Sequence, residues 1–140
     1  MGAWGSGPFD NDTAADWCGD LEDADPAERP ALVERALRAV LEEDGYLDSD
    51  LANEAIVAAT LVAAELPGGP VVDSAYAPDF VRAGGRMDLP AGLPALALRA
   101  LDRITTGQDS EWRDLWTDAG SIDGSIAGLA PIRAALAAAA

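Results

Sequence analysis

The segment SDLANEAIVAATLVAAEL, residues 49–66, limits what this chain can fold into more than any other stretch. Wound as an α-helix, it is apolar on nearly all sides, so it must be buried among other elements. Ser49 or Asp50 would cap its start, and the following PGGP would stop it. Its alanines would let neighbouring backbones approach closely. We therefore expect a central, buried helix with other helices around it.

Five further stretches carry helical signals, and none alternates with the period of two that a half-buried strand needs. Residues 31–44, ALVERALRAVLEED, show the amphipathic pattern, with Glu34 and Arg38 paired on the polar side. The others are TAADWCGDL with Asp12 or Thr13 as its cap, LPALALRALDRIT, DSEWRDLWTDAG with Asp109 or Ser110 as its cap, and GSIAGLAPIRAALAAAA, which Pro131 would kink or restart. The prediction is an all-α, compact single-domain helical bundle of about five to seven helices over residues 1–140, with an N-terminal extended arm packed on it.

The opening stretch, MGAWGSGPFDNDTAADW, has the composition of a structured element rather than of a frayed chain end. Trp4 and Phe9 bring large apolar surfaces that are useful only when they are buried. The glycines around them permit close approach of backbones, and Asn11 and Asp12 would satisfy backbone groups at the turn into the first helix. The interpretation is an arm whose aromatic side chains plug the bundle.

Charge and composition exclude several classes of function. The chain carries 25 acidic residues against nine basic ones, a formal net charge of −16, and no histidine. Such a surface repels phosphate backbones, which argues against nucleic-acid binding, and it attracts cations or basic proteins. The missing histidine excludes Ser-His-Asp and Cys-His catalysis and histidine-containing zinc sites. The lone Cys18 cannot form an intrachain disulfide, and its preferred interpretation is a small buried apolar residue.

Two patterns bear on where the protein is found. No run of eighteen apolar residues predicts a membrane span, and no basic region followed by an apolar one predicts a signal peptide. All nine basic residues are arginine and alanine is abundant, which is the usage of a GC-rich bacterial genome. The expectation is a bacterial, cytoplasmic protein that does not associate with a membrane.

The opening motif and a later one resemble a single protein family. The first, W-G-x-G-x-F-[DE]-N-D-x-A-x-D-W, runs from Trp4 to Trp17, and the second, S-E-x-x-x-L-W, runs from Ser110 to Trp116. With DGYLD and AIVAATLVAAEL between them, the chain is similar over nearly its whole length to the uncharacterised bacterial family called domain of unknown function 4259. Trp112 departs from the pattern, because a leucine commonly follows the glutamate. The resemblance implies a compact helical domain and leaves the function open.

The acidic side chains at the start of the chain invite a metal interpretation. Asp10, Asp12, Asp16 and Asp20 offer the hard oxygen ligands that Ca²⁺ or Mg²⁺ prefers. The stretch nevertheless lacks the glycine and the terminal glutamate of an EF-hand loop. Helix capping and a solvated acidic face are therefore the preferred interpretation.

Glu54 and Glu65 are the two acids of the apolar segment. They lie eleven residues apart, about 16 Å along a helix, which is too far for a shared metal or a catalytic pair of carboxylates. Ion pairing with arginine is the preferred interpretation, and a polar pocket floor is the alternative. The four tryptophans are likewise interpreted as core rather than as the lining of a ligand pocket.

Two functions from different classes fit these observations. The first is a non-enzymatic acidic interaction protein, of the inhibitor or immunity type, that binds a basic protein partner. The second is a small-molecule or cation-binding domain, possibly an enzyme, with its site between the N-terminal arm and the SEWRDLW helix. No catalytic residue, metal site or cofactor is predicted. The candidate ligand-binding residues of the second function are Trp4, Asn11, Asp12, Asp16, Trp17, Glu54, Ser110, Glu111 and Trp116.

Overall fold

In the computed structural model, residues 7–140 are described, and they form eight α-helices and one 3₁₀ turn. The order is α1 (Asp12–Asp23), the 3₁₀ turn (Pro26–Glu28), α2 (Arg29–Glu42), α3 (Ser49–Ala64), α4 (Asp79–Arg82), α5 (Leu93–Thr105), α6 (Glu111–Asp118), α7 (Ile122–Ala127) and α8 (Ala130–Ala139). The α4 segment is a single turn. Over these residues the only extended pairing is one isolated parallel bridge between Leu47 and Ser110. The predicted all-α bundle is confirmed.

The apolar helix α3 lies at the centre, as its composition predicts. It packs against α1, α2, α5, α6 and α8, and its residues from Ala55 to Ala63 are all buried. Its cap lies one residue before the predicted position. Asp48, not Ser49 or Asp50, accepts hydrogen bonds from the backbone N–H groups of Asp50 and Leu51, at 2.6 and 3.2 Å. Asp48, which directly precedes Ser49, has the extended backbone conformation that an N-cap residue requires.

Asn11 caps the start of α1, although the sequence predicts for it only a role in the turn before the helix. The Oδ1 atom of Asn11 accepts from the backbone N–H of Ala14 at 2.8 Å, so Asn11 is the N-cap rather than Asp12 or Thr13. Just before it, Phe9 is 6% exposed and belongs to the hydrophobic core. Phe9 is therefore buried as the arm interpretation requires. Trp4, the other predicted plug, lies outside the described residues.

The last two helices come from the stretch that Pro131 was predicted to interrupt. Helix α7 ends at Ala127 and α8 begins at Ala130, with Pro131 in its first turn. The window Ile122–Ala139 has the length and the mean hydropathy, 1.2 over 18 residues, of a membrane span, and 28% of it is buried. This is weak evidence for a span, because Ile132 and Leu136 in α8 pack into the core with α3 and α5.

Several arginines are used to hold chain segments together through backbone carbonyl groups. Arg29 donates to the carbonyl oxygens of Leu21 and Glu22 in the last turn of α1, at 3.0 and 2.9 Å, and its guanidinium stacks over Phe80 at 3.9 Å. Three other arginines do the same elsewhere: Arg86 donates to Glu65, Arg103 to Glu43, Gly45 and Asp109, and Arg113 to Thr105. A positive group near the free carbonyls of a helix end is favourable. These arginines therefore stabilise the fold through hydrogen bonds to backbone carbonyl groups, in addition to any salt bridge that they form with a carboxylate.

Candidate functional site

The N-terminus of α3 is the place where three helices bring their acidic residues together. The hydroxyl of Thr13 on α1 donates to Asp50 at 2.8 Å. The backbone N–H of Ser49 donates to Oε1 of Glu111 on α6, also at 2.8 Å. These contacts connect α1, α3 and α6, and the carboxylates suit the positive end of the α3 dipole. One group of acids surrounds Glu54, a second surrounds Tyr46, and the contact of Ser49 with Glu111 joins the two groups. Together they are called the acidic surface, which comprises Asp20 on α1, Asp48, Asp50 and Glu54 at the start of α3, and Glu111, Asp114 and Asp118 on α6.

Glu54 is a half-buried carboxyl group whose pKa depends on the charges of the acidic surface. Burial raises the pKa of this carboxyl above its ordinary value, and the negative charges of Asp50, Asp20 and Asp48 raise it further. Ion pairing was the preferred interpretation of Glu54 from the sequence. That interpretation is wrong for the described residues, in which Glu54 forms no salt bridge and its charged neighbours are acids. Asp48 and Asp50 cap or flank the same helix start, which is why they surround it.

Tyr46 stands at the edge of the acidic surface with 53% of its area exposed. Its hydroxyl donates to Oδ2 of Asp114 at 2.7 Å. This hydrogen bond is the largest cause that raises the pKa of Tyr46 to about 12, and the charges of Asp114, Glu111 and Asp118 add to it. The phenol therefore stays protonated and presents an uncharged aromatic ring among carboxylates.

The ion pairs of the described residues lie away from the acidic surface. Arg29 pairs with Glu22, Arg38 with Glu34, Arg82 with Asp79 and Arg133 with Asp102, at 2.6–3.8 Å. The predicted pair of Glu34 and Arg38 on the polar side of α2 is thus confirmed, at 2.8 Å. The negative charge of the acidic surface is left without a salt bridge in residues 7–140.

A narrow cavity lies between the N-terminal turn, α3, α6 and α7. Its volume is about 20 Å³, which is room for a molecule the size of water. Three polar side chains line it, those of Asn11, Asn53 and Ser125. The rest of the wall is made by Gly7, Pro8, Ile56, Trp112, Trp116 and Leu129. The rings of Trp112 and Trp116 meet edge to face with centroids 6.5 Å apart, which fixes the α6 side of the cavity.

A second, wider cleft of about 430 Å³ lies on the other side of the N-terminal turn. Residues 70–74, which connect α3 to α4, form one wall, and the start of α8 around Pro131 and Ile132 forms the other. Phe9 and the buried Thr60 contribute the floor. The volume falls in the range of small-molecule pockets.

The structure distributes the predicted site residues over several places. Asn11 and Trp116 both line the narrow cavity, so the structure brings these two residues together near α6. Glu54 and Glu111 belong to the acidic surface, and Asp12 and Asp16 are exposed on α1. Trp17 is in the core, and Ser110 is fully buried, where its hydroxyl donates to Ile104 O at 2.7 Å. Trp4 lies outside the described residues, and the assignment of these residues to a ligand remains a prediction.

Two side chains at the narrow cavity were not predicted, Asn53 and Ser125. Asn53 carries a signal that could have been used, because it is the one amide in the apolar α3 segment. Ser125 carries no such signal, since a single serine in the predicted helical stretch GSIAGLAPIRAALAAAA does not show which way it faces. Its burial follows from the packing of α7 on α6, which the sequence does not show.

The remaining predicted chemistry is that of Cys18 and of metal ligands. Cys18 is 2% exposed, and burial raises the pKa of its thiol to about 12. This burial confirms the interpretation of Cys18 as a buried apolar residue. Its thiol stays neutral, and a neutral thiol is a poor nucleophile. Within residues 7–140, no group of three or more cysteines, aspartates or glutamates is placed to hold a metal ion.

Comparison with known proteins gives one result that extends over most of the chain. Searches of the curated proteins and of the solved structures found no match. The family model described as Domain of unknown function (DUF4259) matches residues 2–124. This span includes α1–α6 and every residue of the acidic surface, whereas Ser125 and α8 follow it. The chain belongs to the DUF4259 family.

Proposed function

We propose that this chain is a non-enzymatic acidic interaction protein of the bacterial cytosol, an inhibitor or immunity-type protein. Its partner is a protein with a basic surface, and it docks on the acidic surface at the start of α3. The environment of Glu54 is the observation that carries the proposal. The charged residues that act on this half-buried carboxyl are acids, which means that the surrounding potential is negative.

Exposure and aromatic content support the same surface. Asp20, Asp48, Asp50 and Asp114 are exposed, and the exposed ring of Tyr46 lies beside Asp114. Tyrosine is enriched at the energetic centres of protein interfaces, because it buries a large area at a small cost in conformational entropy. An approaching arginine or lysine would find carboxylates and an aromatic face at one place.

The test measures partner capture with two variants of equal charge. The first, Asp20→Asn with Asp118→Asn, neutralises two exposed residues of the acidic surface that form no hydrogen bond through their side chains in the described part of the chain. The control, Asp73→Asn with Asp88→Asn, removes the same charge from exposed loop positions outside it. The unmodified chain and the control should retain a basic protein from a lysate of the source cell, and the first variant should retain less.

Salt dependence separates this proposal from its alternatives. Charge complementarity accelerates association, and added salt screens it over about 8–10 Å at physiological strength. The association rate of the captured protein should therefore fall as salt rises, and fall less for the Asp20→Asn, Asp118→Asn variant. A partner with an acidic or purely apolar contact surface, or a rate unaffected by salt, would refute the proposal.

A second candidate function is binding of a small molecule or cation between the N-terminal turn and α6. The narrow cavity lies at this place, lined by Asn11 and Trp116, and its volume of about 20 Å³ has room for a cation but not for an organic molecule. Titration calorimetry with Ca²⁺ and Mg²⁺ addresses the cation form of this function. Stoichiometric binding that is lost in Asp12→Asn without loss of folding would favour the second function over the first.

A further inference from the structure

The hydroxyl of Ser125, which lines the narrow cavity, is an unusual group because it is buried and makes no hydrogen bond to the described residues. Ser125 is 4% exposed, and its Oγ atom is buried without a hydrogen-bond partner in the described part of the chain. A buried hydroxyl that makes no hydrogen bond loses its interactions with water and gains nothing in return, which destabilises the fold. Native proteins rarely keep such a group, so a partner for it is to be expected.

Two further polar groups at the same cavity have hydrogen-bonding capacity to spare. Asn11 uses its Oδ1 atom to cap α1, which leaves its Nδ2 group as a donor. The side chain of Asn53 makes no hydrogen bond to any residue of the range 7–140, and it can both donate and accept. Both residues line the cavity together with Ser125.

The cavity volume selects the class of ligand that can satisfy these three groups. About 20 Å³ exceeds the roughly 10–15 Å³ that one water requires, and it is too small for an organic ligand. A buried water makes about three hydrogen bonds on average, and three polar side chains are available here. We propose that the narrow cavity is a binding site for one internal water molecule, held by Ser125 Oγ and the amide groups of Asn11 and Asn53.

The water site has a structural consequence that is separate from the acidic surface. Asn11 starts α1, Asn53 lies on α3, and Ser125 lies on α7. One water bonded to all three joins the N-terminal turn to the central helix and to a helix beyond α6. It thereby fixes the position of α7, in which Ser125 is the one buried residue.

The sign of a stability change tests the site. If Ser125 holds a water, Ser125→Ala removes a ligand of that water, and the melting temperature should fall by about 3 °C. If the hydroxyl is truly without a partner, the same substitution removes an unfavourable group and improves helix propensity, so the melting temperature should rise. A rise would overturn the proposal. Thr117→Ala on α6 is the control, because it removes an exposed hydroxyl from a residue that does not line the narrow cavity.

A double-mutant cycle and a crystal structure complete the test. Ser125→Ala and Asn53→Ala should lower the melting temperature by less together than the sum of the two, because both variants lose the same water. Strict additivity would contradict a shared ligand. A high-resolution crystal structure should show one ordered water within hydrogen-bond distance of Ser125 Oγ. A direct hydrogen bond from Asn53 to Ser125 in its place would also overturn the proposal.

Discussion

The 25 acidic residues outnumber the nine arginines, and arginines that donate to backbone carbonyls leave further carboxylates without a salt bridge. The pair of Glu34 and Arg38 could be predicted, because four residues along a helix bring two side chains together. The contact of Arg103 with the carbonyl of Gly45 could not, because the two residues lie 58 positions apart in the chain. Such distances are set by how helices pack, and a local pattern contains no information about that.

Phe9 is the aromatic residue through which the N-terminal turn joins the core, at 6% exposure. We expect Phe9→Ala to lower the free energy of unfolding by about 3–5 kcal/mol, because it removes a buried ring and leaves a cavity. Urea denaturation measures this change. Val71→Ala is the matched control, since Val71 is 87% exposed and should change stability little. An unchanged midpoint in Phe9→Ala would mean that this turn contributes nothing to the fold.

Helix positions were predictable to within a few residues because apolar spacing and turn residues are local signals. The range Leu93–Thr105 matches the predicted segment LPALALRALDRIT at both ends, and Ser110 caps α6 as one of the two predicted residues. Caps were less predictable wherever several capping residues stand in a row. Asn11, Asp12 and Thr13 can all serve, and the backbone entry to α1 decides among them.

Asp48 permits a direct measurement of one cap. We expect Asp48→Ala to lower the free energy of unfolding by about 1 kcal/mol, because the N–H groups of Asp50 and Leu51 lose their acceptor. Asp48→Asn keeps an acceptor oxygen while it removes the charge, so it should retain most of the stability. Chemical denaturation of both variants supplies the comparison. Equal losses in the two would indicate that the charge of Asp48 matters and the hydrogen bonds do not.

At the scale of the whole molecule, the acidic surface makes stability depend on pH. Burial and acidic neighbours raise the pKa of Glu54 in the folded chain above its value in the unfolded chain. Ionised Glu54 therefore destabilises the fold, and this cost disappears as the pH falls through the folded-state pKa. We expect Glu54→Gln to be more stable than the unmodified chain at neutral pH, with the difference shrinking as the pH is lowered.

Urea midpoints measured across the acidic range test this expectation. Glu34→Gln is the control of equal charge, because Glu34 is already paired with Arg38 and gains nothing from neutralisation. If Glu54→Gln were less stable than the unmodified chain at neutral pH, the carboxylate of Glu54 would have a stabilising partner instead. The same measurement would then remove the main support for a negative potential at this surface.

The candidate site was less predictable than the fold for a reason that also belongs to the whole molecule. Composition predicts an acidic protein, but only packing shows that Asp20 of α1 and Glu111 of α6 lie near the start of α3. The narrow cavity likewise depends on Asn53 and Ser125, which lie 72 positions apart in the chain. A feature assembled from three helices has no signature in any one of them.

The bridge at Leu47 has a consequence for the order in which the molecule assembles. Leu47 donates to Asp109 O at 2.8 Å and accepts from Glu111 N at 2.9 Å, while Ser49 reaches Glu111 across 62 positions of sequence. Closing so large a loop reduces the configurational entropy of the chain before the contacts that it allows can stabilise the fold. Because the neighbouring α2 and α3 need no such closure, we expect them to dock first and the α6 end to dock late. In the reverse direction, we expect α6 and α7 to detach first, and hydrogen exchange should show their amide protons exchanging with solvent sooner than those of the α3 interior.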